Sequence, residues 1–489
     1  MDEKRCVPAP VTPPVAQKRE YPVDRKERLL LPLAWAVGVL CVEVLGWGLP
    51  GLGMTLLTAA WYGTLLWYGG TAPLARRENR LLLGAVGLLA LTFALYANPW
   101  LRVWNTCALI LLMGVQMAGW SGAARHPAGD AAMLWERLTL ILEGLFGRLE
   151  APLRALGSIR GLSRRKLPWI LGGLALCVPL LMVVFPLLTS ADALFDQLTR
   201  RAAEWFYQHL ALWTVRLVLG LLLAPFLFGL LYFLRRPQPL KQPAKAGVSL
   251  AVEAAGPVTV LAVLDALYAF FLTVQFAALF GGADYLARSG IAYAEYARSG
   301  FFQLVAVAAV NLACLLACLT FSKREGHGFR AVQVLGTLLV AASGVLLLSA
   351  LWRMSLYVGE YGLSFKRALT YWGMGLLAVL LAAALWKVWH PAFRWFRVLL
   401  CVGVAGWLVL NFANVDALVA RYNIGRGLST QAVLSASGGR LGALPALEGL
   451  LDRRPGDVEL EQAVAELRQS AAWQAGHWQS WSLTAQMNR

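Results

Sequence analysis

Long apolar runs separated by short polar breaks dominate the chain. The runs are continuously apolar and do not alternate with period two, so they predict membrane-spanning helices and disfavour a β-barrel. Eleven are long enough, near residues 29–47, 52–70, 81–98, 103–120, 167–189, 210–234, 257–280, 301–321, 331–352, 371–389 and 398–415. Turn residues in "GLPGLG" and "ANPW" join the early spans tightly. The expected fold is all-α: a polytopic transmembrane helical bundle of about eleven spans with a small external C-terminal helical tail.

The polar breaks divide the chain. Residues 1–28 read as a basic tail, 29–234 as a six-span half, 235–256 as a Pro- and Lys-rich linker, 257–415 as a five-span half, and 416–489 as the external tail. Within the first half, residues 130–157 carry Met133, Leu134, Leu138, Ile141, Leu142, Leu145 and Leu149 at helical spacing against Glu136, Glu143 and Arg148. That pattern predicts an amphipathic helix lying along the inner leaflet, with a partner-docking helix as the alternative. In the tail, "LPALEGLLDRRPGDVELEQAVAELRQSAAW" predicts two helices broken at "RRPGD", the second begun by Pro455 with Asp457 in its first turn. After it, "HWQSWSL" offers Trp478 and Trp481 to the headgroup level.

Composition agrees with this class and charge adds orientation. The chain is 58% hydrophobic and 15% charged, where soluble domains average about 45–50% and 25%. Of the Lys and Arg residues outside the spans, 28 fall on one side, in 1–28, 71–80, 121–166, 235–246, 322–330 and 387–397. The short loops of the other side carry eight, at Arg102, Arg200, Arg201, Arg288, Arg298, Arg353, Lys366 and Arg367. By the positive-inside rule the richer side is cytoplasmic, so the N-terminus lies inside and the C-terminus outside. The net charge of +17 then serves anionic headgroups of the cytoplasmic leaflet, and no nucleic-acid partner is expected.

Familiar catalytic signatures are missing: no phosphate loop, no H-E-x-x-H helix, no G-x-S-x-G elbow. Six of the seven cysteines sit inside apolar runs, and the five histidines are scattered over both predicted sides. No catalytic residue, metal site or cofactor is expected.

Polar chemistry gathers instead at three stretches of the predicted outer side. "NVDALVARYN" (414–423) leaves the last span with Asn414, Asp416, Arg421 and Asn423. Were it a continuation of that helix, Asn414 would align with Arg421, and Asp416 with Asn423, on two opposite polar faces that lipid cannot satisfy. Arg421 then invites a carboxylate, and Asp416 a base or backbone amides. "YAEYARSGFFQL" (293–304) offers Glu295 and Arg298, and "YVGEYGLSFKRALTYW" (357–372) offers Glu360, Tyr361, Lys366 and Arg367. Together these predict an external polar cluster of Glu295, Arg298, Tyr361, Arg367, Asn414, Asp416, Arg421 and Asn423, with anchoring of helix ends as the plainer alternative. Inside the spans, Glu43 and Asp265 stand out as ionisable groups.

The stretches "YAEYARSGFFQLVAVAAVNL", "YGLSFKRAL", "NFANVDALVARYNI" and "WQSWSL" resemble an uncharacterised bacterial family of multi-span membrane proteins known by domain-of-unknown-function labels. The resemblance runs mainly from about residue 257 onward. It implies a location in the bacterial cytoplasmic membrane and supplies no activity, cofactor or catalytic residue. The leading expectation is a membrane protein of envelope sensing or regulation, or a subunit of a membrane assembly with another membrane protein as partner. A secondary transporter using Asp265 or Glu43 is the alternative. A membrane-embedded enzyme on lipid or cell-wall intermediates, with Glu295 and Asp416 as acid and base, comes third.

Overall fold

The computed structural model describes residues 23–126, 132–158, 193–236, 253–280, 301–322 and 326–489, with a few isolated residues between 173 and 188. In chain order the first helices are α1 (Arg25–Gly46), α2 (Leu52–Gly69), α3 (Arg77–Leu95), α4 (Pro99–Trp120), α5 (Ala132–Phe146), α6 (Glu150–Gly157) and α7 (Ala193–Arg235). Then come α8 (Ala255–Phe280), α9 (Phe301–Phe321), α10 (Gly326–Tyr361), α11 (Phe365–Trp389) and α12 (Trp395–Phe412). The tail folds as α13 (Val415–Gly425), α14 (Thr430–Ser437), α15 (Leu444–Leu451), α16 (Val458–Gly476) and α17 (Leu483–Met487). The chain is an all-α polytopic membrane protein.

Among the described residues nine helices are long and apolar enough to cross a membrane: α1, α3, α4, the Leu212–Arg235 part of α7, and α8 to α12. The expected second span coincides with α2, which has the length but carries Thr55, Thr58, Tyr62, Thr64 and Tyr68. The expected fifth, 167–189, lies almost wholly outside the described residues.

Helix starts follow local chemistry. Asp24 and Glu27 form a capping box at α1. Asn98 caps α4, where Pro99 takes the first helical position and needs no partner for a missing N–H. Helices α1 and α7 pack antiparallel at very close range, since a Cβ on Gly38 would lie 2.6 Å from the Gly220 carbonyl oxygen. Ion pairs close both ends of this pair: Arg235–Asp24 at 3.2 Å and Arg236–Glu27 at 3.0 Å at one end, Arg216–Glu43 at 2.7 Å at the other.

Three apolar clusters hold the molecule. One joins α1 to α7, a second joins α8 to α13 and includes Leu101 of α4, and the third joins the tail to Ala97 before α4. The first two meet at α12, where Trp407 packs against both. In the third, Leu444, Leu447 and Leu450 pack with Leu460, Val464 and Leu467.

The tail sits on one end of the bundle, which we term the tail face. Thr484 donates to the Leu95 carbonyl (2.8 Å), and the loop before α2 bonds to residues 479–481. The opposite end holds Asp24, Glu27, Arg235 and Arg236, the Arg137–Glu78 pair, and α5. Helix α5 buries Met133, Arg137, Leu140 and Gly144 and leaves Leu134, Trp135, Leu138, Leu142 and Phe146 exposed, so the side it turns into the protein is not the leucine face that its spacing marks out.

Candidate functional site

The last span does not continue through the opening polar stretch. Asn414 adopts the left-handed conformation (φ 43°, ψ 63°) and breaks the helix between α12 and α13. Asparagine tolerates that region because its short side chain bonds locally, here accepting the Ala417 N–H as the N-cap of α13. The break corrects the two-faced continuous helix expected from spacing. Within α13, Asp416 and Asn423 do share a buried face, while Arg421 is exposed and forms no ion pair among the described residues.

Asp416 is 3% exposed and is the centre of a junction of four elements. Asn98, the cap of α4, donates its amide to both carboxylate oxygens at 2.9 Å. Arg440, from the turn after α14, donates from Nε to Oδ1 at 2.6 Å and stacks 4.9 Å over Phe365 at the start of α11. The carboxylate and its arginine together therefore tie α4, α11, α13 and the turn after α14. Burial pushes the Asp416 carboxyl above the ordinary aspartate value of 3.8, against the opposing pull of Arg440 and Asn98.

Asn423 clamps a second connection. Its Oδ1 accepts the Leu363 N–H at 2.8 Å and its Nδ2 donates to the Leu363 carbonyl at 2.7 Å. Gly362 beside it has φ +71°, and a Cβ there would stand 2.6 Å from Asn423 Oδ1, so only glycine fits. Arg367 donates to the carbonyls of Tyr361 (2.9 Å) and Gly362, and its guanidinium lies 4.3 Å from the Tyr357 ring. Tyr361 is exposed and its ring meets Tyr357 at 5.0 Å. Of the expected cluster, Tyr361, Arg367, Asn414, Asp416 and Asn423 come together around α13, and Glu295 and Arg298 lie outside the described residues.

Glu43 belongs to this same face. Arg216 pairs with it, and Gln479 of the tail donates to its Oε1 at 2.6 Å. The Arg216 guanidinium is sandwiched by Trp47 (4.8 Å) and Trp213 (5.0 Å). Nearby, Gly51 and Gly53 donate to the Gln479 carbonyl and Leu52 to the Trp481 carbonyl, while Leu49 donates to the Ser480 hydroxyl. The first turn of a helix has no internal acceptors for its N–H groups, so residues 479–481 act as a cap for α2 contributed from the far end of the chain. Buried Arg102 of α4 completes the contact, donating to Gln474 at 3.3 Å and to the Ser480 carbonyl at 3.5 Å. Trp478 is exposed on this face.

Sequence reading missed Arg440, Asn98, Arg102 and Gln479. The Asn–Pro pair in "ANPW" does signal a capped helix start, but nothing local announces that the cap also binds a carboxylate. Within the tail, α16 starts at Val458 with Asp457 as its N-cap, one turn later than the proline suggested. The Thr430 hydroxyl, which donates to Asp457 at 2.5 Å, holds that half-buried carboxyl below the usual range.

Asp265 lies apart, in α8. Among the described residues neither of its buried carboxylate oxygens has a hydrogen-bond partner. Among the described residues no three His, Cys, Asp or Glu side chains gather as a metal site. Two apolar hollows flank the spans, about 530 Å³ between α1 and α2 and about 400 Å³ between α10 and α11.

A family model described as a domain of unknown function, DUF4153, matches residues 83–448. No curated protein and no solved structure matches the chain.

Proposed function

The chain belongs to the DUF4153 family and is an integral membrane protein, and we propose that it works as a regulatory or sensing subunit of a membrane assembly. In this reading it lies in the bacterial cytoplasmic membrane with the N-terminus inside, and the tail face looks outward. The observation that carries the reading is the Asp416 junction, with its contacts to α4, α11, α13 and the tail. A cap bonded to helix ends of both apolar clusters transmits a change at the outer surface to the spans, because the junction holds one arrangement of them. The tail-face polar groups are spent on one another, which suits a closed surface for a partner protein better than an open substrate cleft. The basic opposite end suits anionic headgroups of the inner leaflet.

Two experiments on the full chain test this. In a cysteine-free background, an impermeant thiol reagent applied to intact cells should label Ser435→Cys and leave Thr71→Cys unlabelled. Labelling of Thr71→Cys alone overturns the orientation. Crosslinking in native membranes should join the protein to one other membrane protein, and Arg440→Ala should lose that link while staying in the membrane. A partner bound equally well by Arg440→Ala removes the role of the cap.

A further inference from the structure

Asp265 is the eleventh residue of α8, about 15 Å along the helix from Ala255 and so near the middle of a hydrocarbon layer about 30 Å thick. It shares a face with Leu261, Tyr268 and Leu272, the side of α8 that packs into the second apolar cluster. One turn further on, the Tyr268 hydroxyl donates to Asn311 of α9 at 2.7 Å, and Asn311 donates to Ser343 of α10 at 2.9 Å. Ser343 in turn donates to the Leu339 carbonyl of its own helix at 2.7 Å. This seam fixes three helices at the level of Asp265, yet it closes on itself and leaves the carboxylate out.

Both Asp265 oxygens are buried without a hydrogen-bond partner among the described residues. The titratable groups on the packed elements are Tyr268 on α8, Cys314 and Cys318 on α9, and His327, Arg330, Arg353, Tyr357, Glu360 and Tyr361 on α10. None of them bonds to Asp265. An ionised carboxylate in hydrocarbon without a cation or donors is costly, so such residues are rare in spans and mark ion or proton sites. A sodium or other hard cation needs several oxygen ligands, and the seam oxygens are already engaged with one another. A proton needs only the carboxylate.

We infer that Asp265 is a reversible proton-binding site within the membrane, held in register by the Tyr268–Asn311–Ser343 seam. The carboxylate takes up one proton to give the neutral acid and releases it again without any other bond changing. The site is separate from the cap, so the two readings stand or fall independently.

Infrared spectroscopy on the full chain in lipid vesicles tests it, by subtracting Asp265→Asn from the native protein. The difference should contain one protonated-carboxyl stretch that fades as pH rises, by about tenfold per pH unit once most of the group is ionised. Asp265→Glu should restore a titrating band at a shifted frequency, which covers the case of an Asn variant that fails to fold. A band constant across the range makes Asp265 a permanently neutral packing group and overturns the site. So does a band absent at every pH. Loss of the band on replacing choline by sodium at fixed pH makes it a metal-cation site and overturns the proton assignment.

Discussion

The carboxylates of Asp416 and Asp265 sit in opposite circumstances. Asp416 receives an arginine, an asparagine amide twice over, and a place at the meeting of four elements. Asp265 receives no hydrogen bond among the described residues, although a hydrogen-bonded seam passes one turn away. A charge surrounded by matched donors holds one arrangement in place. A carboxylate left unmatched in an apolar layer holds a structure together poorly, and its presence there points to a role that needs it to change state. The tail face is accordingly read as a lock, and the interior of the second cluster as a place where something is bound.

Breaking the lock should be costly. Arg440→Ala leaves the Asp416 carboxylate buried without its cation, and chemical unfolding in detergent should register a loss of about 3–5 kcal/mol. The same substitution should leave the infrared band of Asp265 unaltered, which separates the two regions. Asn423→Ala strips both bonds from the Leu363 backbone, and the same measurement should show a loss of about 2–3 kcal/mol. Gln479→Ala removes one donor from Glu43 while Arg216 stays, so its cost should be near 1 kcal/mol, with faster thiol labelling of Ser480→Cys.

The smallest effect is in pH dependence, and its sign distinguishes two carboxylates of the tail region. Asp416 is raised by burial in the folded protein, so it binds more protons folded than unfolded. Its contribution is fully present below the ordinary value of 3.8 and is lost as pH rises through its folded midpoint. Asp457 is lowered by the Thr430 hydroxyl, so its contribution is present above 3.8 and lost as pH falls. Stability–pH curves of Asp416→Asn and Asp457→Asn should therefore depart from the native curve with opposite slopes.

Much of the architecture was legible because apolar runs and caps are local signals. The spans and the pairing of Asp416 with Asn423 on one face follow from spacing within a few turns. The break at Asn414 was harder, since an asparagine inside a helical pattern announces tolerance of the left-handed region without requiring it. The partners of the site were beyond reach for a different reason. Asn98 and Asp416 are 318 residues apart, and Gln479 and Glu43 are 436 apart. No periodicity connects such positions; only the packing of the finished bundle does. Arg421 illustrates the same limit: it is the arginine near Asp416 in sequence, yet spacing sets it on another face, and Arg440 from beyond α14 fills the place.

The end of the chain caps the bundle, and the N–H groups of Gly51, Leu52 and Gly53 report that contact directly. They bond to the carbonyls of Gln479 and Trp481 and have no acceptors of their own at the start of α2. Hydrogen exchange followed by mass spectrometry should find residues 49–53 protected in the full chain and freely exchanging once residues 477–489 are removed. Equal protection in both would mean that the tail does not hold this face, and the account of a capped, locked bundle would be wrong.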